Sequence, residues 1–224
     1  MRIVVLGAPG AGKGTHCRRI SDRYRVVHLS SGDILRRERA EGTDLGKKVQ
    51  SYMDAGTLVP DDLIVQMMSN AIQKAGSVGY VLDGFPRTVN QAQSLDASLA
   101  GAQDGIDIVV NLEVGDGVVL DRITGRRSCP KCGAVYHVRN MPPKKDSLCD
   151  LDGTKLVQRP DDTEDVVRNR LATYDQQTEP VVEYYKSKRT VHDIDANESA
   201  DTVAAVIFGR LDALAGRAGR HPRQ

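Results

Sequence analysis

Residues 7–15 read Gly-Ala-Pro-Gly-Ala-Gly-Lys-Gly-Thr. Glycines at this density let successive backbone N–H groups turn inward and form a nest for phosphate oxygens. A helix starting at Lys13 adds the partial positive charge of its N-terminus, and Lys13 adds a full charge at the bridge between the two outer phosphates. The loop follows a short apolar run and precedes a helical pattern, which is the context a phosphate loop requires. One detail departs from the generic pattern. Gly14 stands directly after the lysine, and the hydroxyl comes one place later, at Thr15. A plain glycine turn with an incidental lysine does not account for the matched context.

A carboxylate and further cations point to a second phosphate. Asp83 closes the apolar run 80–82, at the carboxyl end of an expected strand, the edge at which ligands of open α/β sheets gather. A carboxylate there can hold the water shell of Mg2+; taken alone it also reads as an ordinary turn residue. Gly84-Phe85-Pro86-Arg87 follows at once, and Arg87 can clamp an acceptor phosphate with its planar fork. Ser30-Ser31-Gly32-Asp33 opens a helix expected from about residue 34, where Ser or Asp would also serve as N-cap. Arg36 lies one turn inside, within reach of a phosphate near that helix start.

Arg122 and Arg126 stand four apart and are expected on one face of a helix. Arg127 follows, and Arg159 and Arg170 come later, with Asp161-Asp162 between them. A single arginine is usually a solvated surface residue; this grouping around one segment argues otherwise. Phosphoryl transfer asks a protein for positioning and neutralisation of charge spread over the transferring oxygens. Arginines on a mobile element can supply that charge while excluding water. No Ser, Cys or His nucleophile is needed.

Cys129-x-x-Cys132 and Cys149-x-x-Asp152 are separated by sixteen residues. Each pair can form a knuckle, and together they offer four ligands to a tetrahedral Zn2+. Gly133 and Gly153 follow the second member of each pair, where a tight turn needs them. Asp152 has the matched spacing for the fourth ligand; His137, Asp146 and Asp150 compete for it, Asp150 poorly because it adjoins Cys149. Cys17 lies in the first helix and is expected to be packed.

The elements that must position these groups follow from hydrophobic period. The short run 3–6 is wholly apolar and reads as a strand buried on both faces; runs at 26–29, 80–82 and 106–112 look like buried strands too, and 190–194 is a fifth candidate. Helical patterns at 13–24, 34–55, 61–75, 89–99 and 117–124 separate several of them. The alternation implies an α/β fold with a doubly wound parallel sheet. Between 126 and 162 the character changes to Pro, Gly, Cys and Lys with short alternating pieces, an inserted β-rich unit. A helical pattern carrying Pro180 returns over 163–189, a terminal helix is expected over 203–214, and the Gly/Arg-rich tail 215–224 is expected to fray.

The 224 residues carry a net charge of +1, which gives no support to general polyelectrolyte binding. There is no Trp and there are two Phe, too few for stacking platforms on single-stranded nucleic acid. No apolar run approaches a membrane span, and the N-terminal apolar run is too short for a secretory signal, so a cytoplasmic protein is expected. In that setting three cysteines between 129 and 149 suggest a metal before disulfides.

Gly-Ala-Pro-Gly-Ala-Gly-Lys-Gly-Thr, Ser-Gly-Asp-Ile-Leu-Arg, Asp-Gly-Phe-Pro-Arg-Thr, Gly-Arg-Arg and Arg-Pro-Asp-Asp occur in adenylate kinase order. The chain resembles that family over nearly all of residues 1–212. The closest match is the long-lid bacterial type, whose zinc-containing members carry four cysteines or three cysteines and an aspartate. The Gly-Lys-Gly-Thr form of the loop is typical of nucleoside monophosphate kinases.

The resemblance implies the P-loop nucleoside monophosphate kinase fold with a five-stranded sheet. Its core spans 1–29, 60–125 and 163–224, with an AMP-binding insert over 30–59 and a lid over 126–162. It implies reversible transfer, ATP + AMP = 2 ADP, with Mg2+ on ATP and a structural Zn2+, in a monomer. By motif, Gly10, Ala11, Gly12, Lys13, Gly14 and Thr15 hold the ATP phosphates. Arg122, Arg126, Val135 and Tyr136 face ATP, and the Glu198 backbone meets adenine. Ser31, Arg36, Thr57, Leu58, Val59, Gly84, Phe85, Pro86, Arg87 and Gln91 surround AMP. Arg159 and Arg170 meet the transferring phosphates or AMP. Catalysis falls to Lys13, Asp83, Arg87, Arg126, Arg159 and Arg170. Ser31 replaces the more usual Thr and keeps the hydroxyl. A UMP/CMP kinase would usually have a short lid; a GTP-using AMP kinase is a second same-class alternative. A non-catalytic nucleotide sensor would be expected to have lost Lys13, Arg87 or the lid arginines. A zinc module that binds nucleic acid is disfavoured by near-neutral charge and scarce aromatics.

Overall fold

The computed structural model describes residues 1–101 and 105–218. Among them a five-stranded sheet is built from β1 (Arg2–Gly7), β2 (Val27–Ser30), β3 (Tyr80–Asp83), β4 (Ile108–Glu113) and β7 (Val191–Asp195). The spatial order is β2-β3-β1-β4-β7, and each neighbouring pair is parallel. The chain steps from β1 outward to β2, back to β3, then across β1 to β4. That reversal opens a crevice at the carboxyl ends of the strands, the usual ligand position in such sheets.

The all-apolar strand runs are explained by layers on both faces. Val4 and Leu6 pack into one buried cluster with Leu29, Leu82 and Met68; Ile3 and Val5 face the other way, onto Ile20, Val203 and Leu211. Successive side chains of a strand point to opposite faces, so a strand covered on both sides needs apolar residues throughout.

The expected helices at the sheet become α1 (Lys13–Tyr24), α4 (Asp61–Ala75), α5 (Val89–Gly101), α6 (Asp116–Thr124) and α9 (Ala200–Ala218). The last runs longer than expected at both ends, so residues 215–218 are helical; the rest of the tail, 219–224, lies outside the described residues.

Three expectations are corrected. The single helix over 34–55 is two, α2 (Ser31–Glu41) and α3 (Asp44–Ala55). Gly42 ends α2 at φ 66°, its N–H bonded back to Arg39 and Glu38 carbonyls, and Thr43 caps α3 by accepting from the Gly46 N–H. The helices cross so closely that a Cβ on Gly46 would lie 2.2 Å from the Glu38 carbonyl oxygen. The pattern over 163–189 is α7 (Glu164–Thr173) and α8 (Glu179–Lys188), joined by a π-helical turn at Tyr174–Thr178. Pro180 at the start of α8 has no N–H to continue the α ladder. Finally, α6 stops at Thr124, so Arg122 and Arg126 do not share a helical face.

Arg126 instead begins β5 (Arg126–Ser128), which pairs antiparallel with β6 (Val135–His137). Bridges at Ser128–Val157, His137–Met141 and Leu148–Lys155 complete a small β-rich insert. Its buried apolar cluster is only Cys129, Tyr136, Cys149 and Leu156, with Ala134 against it. Among the described residues no helix is long and apolar enough to cross a membrane.

Candidate active site

The phosphate loop is shaped by glycines at positions no other residue fills easily. Gly7 has φ 137°, and a Cβ there would lie 2.6 Å from the Leu112 carbonyl oxygen. Gly12 caps α1 at φ 89°. The first turn of α1 holds no acidic residue, so its N-terminal charge is not locally neutralised. Lys13 Nζ donates to the carbonyls of Gly7 (2.7 Å) and Ala8 (2.8 Å), which folds the side chain back over the loop. Burial pulls its pKa down to about 8, against the attraction of Asp83.

Gly14 has a specific neighbour. A Cβ at this position would lie 3.2 Å from Asp83 Oδ2, closer than ordinary contact. The glycine after Lys13 lets helix and carboxylate approach, and the hydroxyl moves on to Thr15. Asp83 is buried at the end of β3 and lies 3.2 Å from His28 Nε2. Burial pushes its carboxyl up, but the hydrogen bond and charge of His28, then Lys13, outweigh this and hold it below the ordinary carboxylate value.

Beyond Asp83 the chain turns at Gly84 (φ 71°), where a Cβ would lie 2.8 Å from Arg87 Nη2 and 3.0 Å from Ser31 Oγ. The Phe85–Pro86 peptide is cis. Arg87 Nε donates to the Gly84 carbonyl at 2.7 Å, and Ser31 Oγ donates to the same oxygen at 2.6 Å. Gln91 accepts from the Arg87 backbone N–H at 2.7 Å and donates to Asp61 at 2.7 Å. Gln91 therefore fixes the Arg87 loop as well as lining the smaller of two adjoining cavities. Thr57, Leu58, Val59, Ser31, Arg36 and Arg87 line that cavity too, and Leu58, Arg36, Arg87 and Arg170 also line the larger one, of about 670 Å3.

The larger cavity receives Gly10 to Thr15, Asp83, Arg122, Arg126, Val135, Tyr136, Arg159 and Glu198. Arg122 donates to the carbonyls of Ala196 (2.8 Å), Asn197 (3.2 Å) and Glu198 (3.3 Å), gathering the loop before α9. Tyr136 turns its hydroxyl away from the cavity, toward Cys149 Sγ at 3.5 Å and the Asp150 N–H at 2.8 Å. Arg127 does not join the cavity; it bonds the carbonyls of Thr124 and Arg126.

Carboxylates that the sequence left without a role sit among these cations. Arg126 makes a two-point pair with Asp162, which is fully buried. Arg170 pairs with Asp161 at 3.1 Å. Asp33 holds Arg36 at 2.5 Å and lies 3.9 Å from Arg159 and 4.0 Å from Arg18. Even so the cations repel. Burial lowers the Arg159 and Arg170 pKa values to about 10, and neighbouring arginines push the same way. Arg18, from α1, also donates to the Gly133 carbonyl of the insert. Arg18 has no partner near it in the sequence, whereas the Asp33–Arg36 pair has the i,i+3 spacing of one helix face.

The insert's four candidate ligands converge. Donor atoms of Cys129, Cys132, Cys149 and Asp152 all lie within 4.8 Å of one another. The two halves repeat one geometry. Gly133 N–H bonds the Cys129 carbonyl (3.0 Å) and Gly153 N–H bonds the Cys149 carbonyl (2.8 Å), with φ of 72° and 71°. The competitors are engaged elsewhere. His137 Nδ1 accepts from the N–H groups of Arg139 and Asn140, and Nε2 donates to the Asp121 carbonyl at 3.0 Å. Asp150 accepts from the Lys144 N–H, and Asp146 from Ser147 Oγ. Three thiols and a carboxylate at this separation suit a tetrahedral zinc ion.

Comparison with known proteins shows the family. The family profile described as adenylate kinase matches residues 5–190. The adenylate kinase of Lachnospira eligens is 44% identical over 92% of this chain and 98% of its own. That of Caldicellulosiruptor saccharolyticus is 47% identical over 92% and 97%, and that of Archaeoglobus fulgidus 45% identical over 96% and 99%.

Proposed function

Because this chain belongs to the adenylate kinase family, a phosphotransferase of the nucleoside monophosphate kinase type, we propose that its two adjoining cavities bring ATP·Mg and AMP together for ATP + AMP = 2 ADP. One observation carries the residue assignment. Lys13, Arg87, Arg159 and Arg170 are buried at one site beside Arg36 and Arg126, and burial first, then neighbouring cations, lowers the pKa of each of those four. Phosphates placed among them would supply counter-charge beyond that of Asp33, Asp161 and Asp162.

In this reading Gly10 to Thr15 and Lys13 grip the outer phosphates of ATP. Arg36 and Arg87 hold the AMP phosphate, with Ser31, Thr57, Leu58, Val59, Gly84, Phe85, Pro86 and Gln91 around the nucleotide. Arg126, Arg159 and Arg170 neutralise the oxygens of the group in transfer. Arg122, Val135, Tyr136 and the Glu198 backbone frame the base of ATP. The chain's contribution is alignment and charge placed in a site shielded from water, which lowers the barrier without a covalent intermediate. Residues 126–162 act as the lid, 30–59 as the AMP-binding insert, and the rest as the core, in a cytoplasmic monomer. Magnesium comes with ATP and neutralises phosphate charge; Asp83, ionised and facing the cavity, orders its hydration shell.

A coupled assay with ATP and AMP, CMP, UMP or GMP in turn tests the substrate. AMP is expected to be preferred; a preference for CMP or UMP sinks this reading, and no turnover with any acceptor supports a sensor instead. Asp83→Asn is expected to slow turnover and flatten its Mg2+ dependence; unchanged Mg2+ titration curves would remove Asp83 from the site.

We further propose that Cys129, Cys132, Cys149 and Asp152 hold a Zn2+ that folds the lid and takes no part in transfer. A segment of under about 40 residues rarely folds without a metal or disulfide, and this one buries a very small apolar cluster. Four protein ligands leave no open position for substrate. Chelation is expected to lower the melting temperature while turnover at low temperature falls only modestly. Asp152→Ala should lose metal and Asp152→Cys retain it, by elemental analysis. Protein purified without chelator and lacking stoichiometric metal would end the idea. Abolished activity in an intact apo fold would put the ion in the chemistry.

A further inference from the structure

Behind the phosphate loop lies a second group of donors. Cys17 Sγ, an imidazole nitrogen of His28 and a carboxylate oxygen of Asp83 all lie within 4.8 Å of one another. They arrive from α1, β2 and β3. β2 and β3 are paired in register, with Ser30 beside Asp83, and His28 is two residues back on the same face. α1 lays Cys17 over the sheet, fully buried. His28 Nε2 is 3.2 Å from Asp83 Oδ2.

Thiolate, imidazole and carboxylate together form a donor set for a borderline or soft divalent ion, and a poor one for Mg2+, which prefers oxygen. With zinc–ligand bonds of about 2.0–2.3 Å, donors of one tetrahedral ion stand roughly 3.2–3.8 Å apart. The His28–Asp83 pair is already at that separation, and Cys17 needs a small movement. Asp83 lines the large cavity and is the donor an entering ion meets first; Cys17 and His28 lie outside that lining. Three nearby charges bear on Asp83: Lys13 and Arg87 oppose a cation, and Asp33 favours one. Lys13 is tied to two loop carbonyls, which limits the repulsion.

We propose that Cys17, His28 and Asp83 form an inhibitory site for Zn2+ or Cd2+. The Cys17 thiol loses its proton to solvent as the sulfur–metal bond forms. His28 releases its Nε2 proton, which faces Asp83, to solvent, binds through the lone pair so freed and keeps a proton on Nδ1, and Asp83 gives one oxygen. The carboxylate is thereby drawn away from the cavity. Inhibition rests on the role proposed above for Asp83; binding does not.

The test uses the full chain with the lid site already filled, equilibrated with Cd2+. Wild type is expected to take up one further ion, with sulfur–cadmium charge-transfer absorption in the ultraviolet, and to lose activity while ATP·Mg is in large excess. Cys17→Ala is expected to keep wild-type activity without Cd2+ and to bind the further ion more than about tenfold more weakly, the loss that removing even an outer partner of a metal can cause. His28→Gln should weaken binding likewise, and guards against a Cys17→Ala chain that fails to fold. No further ion in wild type, or equal uptake by both variants, overturns the site. Uptake through Cys17 without lost activity overturns the inhibitory role. An Asp83→Asn enzyme of full activity overturns the reading of Asp83 alone and leaves the binding result standing.

Discussion

Lys13→Met is expected to lower kcat/KM by roughly a hundredfold or more. Removing one preorganised donor from a water-excluded site typically costs about 2.7–4 kcal/mol of transition-state stabilisation, and each 1.36 kcal/mol or so is a factor of ten in rate. Lys13 meets the conditions for a full effect. It is held in place by the Gly7 and Ala8 carbonyls, so no reorganisation is needed when a phosphate arrives. Methionine keeps the length and the apolar stem but not the charge, so the fold should survive, which melting curves would establish. Arg87→Ala should act chiefly on AMP, raising its KM, because Arg87 is held at the acceptor loop by Gly84. Near-full activity in both variants would show that the phosphates lie elsewhere.

Asp162→Ala is expected to destabilise the protein by about 3–5 kcal/mol, the usual cost of removing one partner from a buried ion pair. Asp162 is 0% exposed and the Arg126 side chain 18%. Burial works against the Arg126 charge, and the hydrogen bonds and charge of Asp162 outweigh it, raising its pKa. Alanine would leave that guanidinium without its paired carboxylate, and Arg170, 3.8 Å from Asp162, with Asp161 alone. Stabilities of about 5–15 kcal/mol are usual for a domain, so the loss would be plain in a denaturant titration. Asp162→Asn keeps the shape and one acceptor, and should fall between the two. An alanine variant within about 0.5 kcal/mol of wild type, the range of an ordinary surface change, would mean that water replaces the carboxylate.

What could be read from the sequence was local or periodic. The phosphate loop is one continuous string, and the metal knuckles repeat one spacing with a glycine after each. The central strand β1 announces itself because coverage on both faces leaves its positions 3–6 apolar; β2, β4 and the edge strand β7 carry polar residues and give a weaker signal. The misreadings arose where a local signal was passed over or a partner was distant. Gly42-Thr43 could have been read as the end of one helix and the cap of the next. Arg126 was given to a helix by its distance from Arg122, yet Gly125 ends that helix, and a Cβ there would lie 2.2 Å from His137 Nε2. The roles of Asp162, Arg18 and His28 have no such signal. Asp162 meets Arg126 across 36 positions and His28 meets Asp83 across 55, and only the folded chain chooses those partners.

The carboxylates among the arginines make the cavity an ion exchanger. Asp33 stands by Arg36 and Arg159, Asp161 by Arg170, and Asp162 by Arg126. On the assignment proposed above, a phosphate that enters does not meet bare cations; it competes with an internal anion for them. Its net gain is the difference between two ionic contacts, which tempers affinity. When the product leaves, each aspartate can reclaim its arginine, so departure is assisted by the same groups that resisted arrival. A reversible reaction between two polyanions, run in both directions through one closed chamber, is served by such matched competitors: they keep the chamber from becoming a trap.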